Sequence, residues 1–337
     1  MYADVRVSLP GERSSWLSLL RPRLVISVLV IAALFIWPLL FNEPFAYYVG
    51  TMLSLYSIGA VSVHLIIRTG HVSMCQAAFM GVASYSSVLA VMSLGLPWII
   101  AALLGIVASV LLGIIVAPIF LRLAGKYFVL VTFLFGEIIR MVFVEWTSVT
   151  GGANGISNIP PPFEAVGSKF AYYYFALVIA LCCIFMSARL LRSEIGQTLD
   201  AIREDERLAA CSGIPVLRFK VIIFAIACAL AGVEGVVQAH YVRYLEPQSF
   251  GVIASLNLVV MNVIGGMYSL VGPLLGAAFV GILPELLRQY VHLQHILFGV
   301  FLIVAMAALP GGLVEAASRM ADLVKKTFRG RSNGRHA

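Results

Sequence analysis

"PWIIAALLGIVASVLLGIIVAPIFL", residues 97 to 121, contains no charged residue. As a helix it would rise roughly 38 Å at 1.5 Å per residue, more than the ~30 Å hydrocarbon core of a bilayer. Arg122 and Lys126 follow at once, where the apolar run stops. Comparable runs occur at 24–41, 45–67, 72–94, 127–144, 171–191, 219–241, 251–268, 270–287 and 294–312. The 337 residues are 61% hydrophobic and 12% charged, with a mean hydropathy of +0.98. No soluble domain can hide that much apolar surface. The expected fold is an all-α integral membrane protein of about ten transmembrane helices. It has a short tail at 1–23, a membrane domain at 24–312 and a second tail at 313–337. The run at 24–41 is longer than a signal-peptide core and lacks a small-residue cleavage site, so it reads as an uncleaved first helix.

Cationic residues set the orientation. Arg6, Arg13, Arg21 and Arg23 precede the first span; Arg68 follows the second, and Arg122 and Lys126 the fourth. Arg189, Arg192, Arg203, Arg207, Arg218 and Lys220 surround the loop after the sixth, and Lys325, Lys326, Arg329, Arg331 and Arg335 lie in the last tail. If ten spans alternate, these all fall on one side, which the positive-inside rule makes the cytoplasm. The other loops hold little base (Lys169, Arg243); Arg288 is the exception. Both termini are therefore expected in the cytoplasm. The net charge of +7 is explained by this placement and calls for the lipid bilayer as a partner, not nucleic acid.

No catalytic or metal constellation is visible. Cys75, Cys182, Cys183, Cys211 and Cys228 have neither zinc nor disulfide spacing and read as small buried hydrophobes. His64, His240, His292 and His295 show no metal motif and fall near span ends, where a wet histidine is ordinary. No cofactor is expected, and nothing suggests an enzyme.

The loop after the sixth span, about 192–218, is unlike the rest. Six of the eight residues from Asp200 to Arg207 are charged. From Leu199 it reads as a short helix ended by Gly213 and Pro215. Leu199, Ile202, Ala209, Gly213 and Val216 share one face at 100° per residue. A membrane-surface helix uses bulky apolar residues and cations; this one mixes both signs with a small-residue face, which suits a groove on a protein partner. A solvated loop with intrahelical ion pairs explains the same charges.

Two stretches, "GHVSMCQAAFMGVASYSS" (70–87) and "IGGMYSLVGPLLGAAFVG" (264–281), are rich in small residues. One in each half of the chain fits an inverted repeat with a pathway between the halves. Close helix packing explains the same glycines.

The loop "AIREDERLAACSGIPVLRFK" (201–220) resembles the coupling loop of ABC import permeases, and in particular that of the branched-chain amino acid import permeases of the LivM type. "GHVSMCQAAFMGVASY" (70–85), "FGEIIR" (135–140), "TGGANGI" (150–156), "AHYVRYLEPQSFG" (239–251) and "VIGGMYSLVGPLLGAAFVGILPELLR" (263–288) are similar to that family's motifs in the same order. The resemblance implies the all-helical, cobalamin-importer-like (type II) permease fold. It also implies a subunit of an ATP-driven importer of branched-chain or related amino acids. The implied partners are a sister permease, two cytoplasmic ATPases and an extracytoplasmic substrate-binding protein. The absence of a phosphate-binding G-x-x-x-x-G-K-[ST] motif here accords with a separate ATPase chain. Ile202, Arg203, Glu204, Asp205, Glu206, Ala209, Ala210, Gly213 and Ile214 would then contact the ATPase, with Ile202, Ala209 and Gly213 facing its cleft. Gly70, Ser73, Gln76, Gly81, Glu137, Asn257, Asn262, Gly265 and Gly266 would line the pathway. Thr150, Gly151, Gly152, Asn154 and Gly155 would border the outer mouth.

His71, Cys75, Gln76, Glu234, Asn257 and Asn262 depart from the family pattern. The resemblance therefore implies amino acids, amides or urea as a class and names no single substrate. Glu137 and Arg140, three apart, share a helix face and can pair. Glu234, an acid within a span, has Gln238 at i+4 as a partner. In a competing reading, a proton-coupled secondary transporter, Glu137 or Glu234 would be the coupling acid.

Overall fold

The computed structural model describes residues 35, 43–123, 125–163, 168–287, 294–308 and 311–316. The N-terminal tail, the expected span at 24–41 apart from Phe35, and the C-terminal tail beyond 316 lie outside the described residues. The chain divides into two units, 1–47 and 48–337. The described part of the first is Phe35 and the start of helix α1 (Pro44–Ile67).

Each apolar run from 45 onward coincides with a helix. After α1 come α2 (Gln76–Met92), α3 (Trp98–Phe120), α4 (Lys126–Glu145) and the single turn α5 (Thr147–Thr150). Next are α6 (Lys169–Leu191), α7 (Glu194–Glu204), α8 (Glu206–Cys211) and α9 (Val216–Val242), then α10 (Val252–Gly265), α11 (Val271–Leu286) and α12 (Gln294–Ala308). Among the described residues, α1, α3, α4, α6 and α9 are long and apolar enough to cross a bilayer. The helices α2, α10 and α11 are apolar but shorter.

Packing follows residue size. The small residues of α2 let α3 and α9 approach closely: Ala77, Ala78, Ala83, Ser84 and Ser87 are all buried. Polar side chains tie helices together where no water competes. Ser109 Oγ donates to the Cys228 carbonyl at 3.0 Å, Tyr172 Oη to that of Val237 at 2.7 Å, and Asn262 Nδ2 to that of Ala60 at 2.9 Å. In apolar surroundings such bonds contribute about 0.6 to 2 kcal/mol each. By contrast α3, α4 and α6 turn apolar rows outward, including Ile99, Leu103, Ile115, Leu134, Ile138 and Phe185. That is the surface of helices that face lipid or another chain.

The stretch at 264–281 proves to be a helical hairpin. α10 ends at Gly265, Gly266 takes a φ of +117°, and α11 starts at Val271. The stretch at 70–87 is non-helical up to Cys75 and helical from Gln76. Two of the cysteines differ from expectation: Cys182 and Cys211 are exposed, the other three buried. His64 and His240 are buried rather than wet, and His240 Nδ1 donates to the Pro160 carbonyl at 2.8 Å.

Candidate functional site

The charged segment is two helices and not one. α7 ends at Glu204, Asp205 is extended (φ −152°, ψ 106°), and its carboxylate caps α8 by accepting from the Arg207 and Leu208 amides at 2.9 and 3.0 Å. An Asp at the N-cap satisfies donors that the helix start leaves free. Capping competes with continuing α7, so the chain bends there.

The bend also redirects the apolar face. Leu199, Ile202, Ala209 and Val216 are buried within the chain, the last three clustered with Ile214 and Phe219. Ile202 and Ala209, expected to face a partner, here pack against the protein's own Val216, Ile214 and Phe219. Glu204, Asp205, Glu206, Arg207, Leu208, Ala210, Cys211, Ser212 and Gly213 are exposed. Leu208, which the periodicity argument passed over, is 67% exposed. It is the large apolar residue on an otherwise polar rim, a signal present in the sequence but hidden by treating the segment as one helix.

Several of the charges brace this elbow. Arg68, just past α1, donates to Asp200 Oδ2 at 2.7 Å. Lys220, buried at the start of α9, pairs with Glu206 at 2.7 Å. The Arg203 guanidinium lies over the Tyr268 ring, 5.2 Å from its centroid, in the α10–α11 connection. Gly70 lies beside Arg203. Nearby, burial and then the Lys220 charge push the His71 imidazole below its usual range. It is therefore neutral at pH 7, with its ring edge-on to Phe128 at 4.7 Å. The elbow thus touches the ends of α1 and α9 and the hairpin turn at once.

The Glu206–Lys220 pair predicts an asymmetry. Glu206→Ala strands a buried ammonium and should cost about 1 to 3 kcal/mol. Lys220→Met removes the charge at similar volume and should be near neutral, and it should rescue Glu206→Ala. Thermal unfolding of the three variants checks this.

Away from the elbow, a cavity of about 510 Å³ lies between α1, α2, α9, α10, α11 and α12. Its lining includes Tyr56, Met80, Glu234, Gln238, Asn257 and Glu285. Glu234 lies 14 residues along α9 from Lys220, roughly 21 Å of helix. Of the residues expected to line a pathway, Asn257 is the one at this cavity. Ser73 and Gln76 are buried at the start of α2, where the Ser73 hydroxyl is 3.2 Å from Cys75 Sγ. Gly81 packs under Phe143 and Phe250. Asn262 also donates to the Leu258 carbonyl at 2.9 Å. Gly265 and Gly266 form the hairpin. Glu137 pairs with Arg140 at 2.8 Å and accepts from the Val252 amide at 3.4 Å, which anchors α4 to the N-terminus of α10. Gln238, expected to partner Glu234, makes no hydrogen bond to it: neither Glu234 carboxyl oxygen has a partner.

The segment 150–157 is a built cap. Thr150 Oγ1 donates to the Phe143 and Trp146 carbonyls and accepts from the Gly152 amide. Gly151, Gly152 and Gly155 have φ of +76°, +61° and +68°. Gly155 also lies against the Leu245 carbonyl, where a Cβ would collide. Strand β1 (Ile156–Ser157) pairs antiparallel with β2 (Tyr244–Leu245), and Tyr244 Oη donates to the Asn154 carbonyl at 3.0 Å. The cap is thus fastened to the end of α9 farthest from the elbow.

The family model described as "branched-chain amino acid transport system / permease component" matches residues 45–308. The chain belongs to that family. It is a multi-pass transport permease. It is 28% identical over 319 residues to the high-affinity branched-chain amino acid transport system permease protein LivM of Salmonella typhimurium, covering 86% of this chain and 74% of that one. Its identity to LivM of Escherichia coli K12 is 31% over 242 residues, covering 64% of this permease and 56% of that protein. Its identity to LivH of Escherichia coli K12, another permease protein of that name, is 25% over 140 residues, 41% of this chain and 45% of that one. No solved structure matches this permease.

Proposed function

We propose that this permease is one of two membrane subunits of an ATP-driven importer for branched-chain or related amino acids. It has ten spans of the type II kind and both termini in the cytoplasm. The observation that carries the reading is the α7–α8 elbow: its inner face is locked to α1, α9 and the α10–α11 turn, while its outer rim presents Leu208 among charges. A partner that moves this elbow moves three helices together. An ATPase pair is that partner, the sister permease packs against the outward apolar rows, and an external binding protein meets the cap at 150–157. The resemblance to both LivM and LivH supports a two-permease assembly. In this reading the cavity belongs to the outer half of the pathway, across the membrane from the ATPases.

The unpartnered Glu234 favours a second reading, a proton-coupled carrier. Proteoliposomes holding the assembled complex separate the two. Uptake should need ATP inside and survive a protonophore; uptake that ignores ATP and collapses with the protonophore refutes the importer.

Orientation has its own test. Ser157 and Ser212 are exposed at the cap and the elbow. With the exposed Cys182 and Cys211 replaced, an impermeant thiol reagent on spheroplasts should label Ser157→Cys and not Ser212→Cys. The reverse pattern inverts the topology.

A further inference from the structure

Glu234 is fully buried, its two carboxyl oxygens lack hydrogen-bond partners, and it lines the cavity. Its carboxylate lies against Gly59 of α1, so closely that a Cβ there would overlap it. The glycine makes room for this acid, and among the described residues no group hydrogen-bonds to it. Burying a carboxylate with no partner is unfavourable, and a cation brought beside it offsets the cost.

The rest of the lining fits that reading. A second acid, Glu285, is there, and among the described residues no lysine, arginine or histidine lines the cavity. Asn257, Gln238 and Ser249 supply neutral hydrogen-bonding groups, while Met52, Leu258, Met261 and Val280 supply apolar wall. A 510 Å³ space is within the usual range for small-molecule sites, which pair apolar walls with a few polar anchors.

We propose that this cavity is a binding site for a small aliphatic ammonium compound and that the Glu234 carboxylate is its counter-ion. With the Glu234 carboxylate in the lining and no base among its described residues, an amine of net positive charge binds better than one that carries its own carboxylate. The permease therefore discriminates by charge within the membrane, whatever a binding protein selects outside. The use of this site in transport rests on the importer reading; the site itself does not, so binding to the purified chain is the test.

Full-length protein in nanodiscs is titrated calorimetrically with leucinamide (cation), leucine (zwitterion) and 4-methylpentanoate (anion), which share one branched tail. Affinity should fall in that order, with 4-methylpentanoate showing no binding. Glu234→Gln should weaken leucinamide at least tenfold, and Glu234→Asp, which keeps the charge, should restore part of the loss. Leucine or 4-methylpentanoate binding as tightly as leucinamide overturns the proposal, as does unchanged leucinamide affinity in Glu234→Gln. The comparison of the three ligands on the parent protein stands even if a variant fails to fold. A protein that binds leucinamide through Glu234 but shows no ATP-driven uptake would retain the site and lose the importer.

Discussion

Gly276→Leu should leave almost no monodisperse protein after detergent extraction. A Cβ at Gly276 would fall on the Met261 carbonyl of the facing helix, and one at Gly265 on the Gly272 carbonyl. These are backbone-to-backbone approaches within the α10–α11 hairpin, so no side chain can swing aside. The helices must separate, losing the packing along their whole contact. Overpacking of a rigid site costs about 1 to 3 kcal/mol for a few methylenes and more where the backbone must shift. Gly276→Ala should already lower the unfolding temperature clearly. Gly299→Ala is the control: among the described residues nothing lies within 4 Å of a Cβ there, so its effect should stay within about 0.5 kcal/mol. Fluorescence-detected size exclusion across a temperature ramp reads all three. A Gly276→Leu protein as stable as the parent would mean that α10 and α11 do not pack as described.

Leu208→Asp should have the opposite profile, an intact membrane protein that no longer transports. Leu208 is 67% exposed at the tip of the elbow, so its loss removes nothing from the folded chain. Burial of a leucine in an interface contributes about 1.5 to 3 kcal/mol, and each 1.4 kcal/mol is tenfold in affinity. An aspartate there would also have to shed its hydration. Co-purification with the ATPases and ATP-driven uptake should each fall at least tenfold, with the unfolding temperature unchanged. Gly213→Trp tests the same surface less cleanly, because Gly213 has a φ of +86° and any side chain strains the turn. Normal co-purification and uptake in Leu208→Asp would remove the elbow as the docking element.

Much of the molecule is legible without coordinates, for physical reasons. Apolar runs of bilayer length have one stable solution, since a helix satisfies its own backbone and water is absent. The apolar runs from 45 onward therefore contain helices, and among the described residues five of these are long enough to cross a bilayer. Ordered motifs across the chain were enough to identify the family. The Glu137–Arg140 pair needed only its spacing of three. The same one-dimensional reading misjudged the elbow, because periodicity assumes an unbroken helix and Asp205 caps a new one instead. The packing of Ile202 and Ala209 against Val216 is likewise invisible to periodicity, because it depends on which element stands opposite them.

What the sequence by itself determined was local and additive: hydropathy sets which segments enter the membrane, and residue type sets caps, turns and charge. What only the tertiary structure decided depends on what stands opposite each side chain. Ion pairs between Arg68 and Asp200 or Lys220 and Glu206 join residues of different segments. The glycines of 264–281 serve contact between two backbones. Gln238, at ideal helical spacing, leaves Glu234 unsatisfied, because the carboxylate rests against Gly59 of α1. Spacing along one helix establishes which groups can meet. Only the packing of six helices around that acid decides that none of them does.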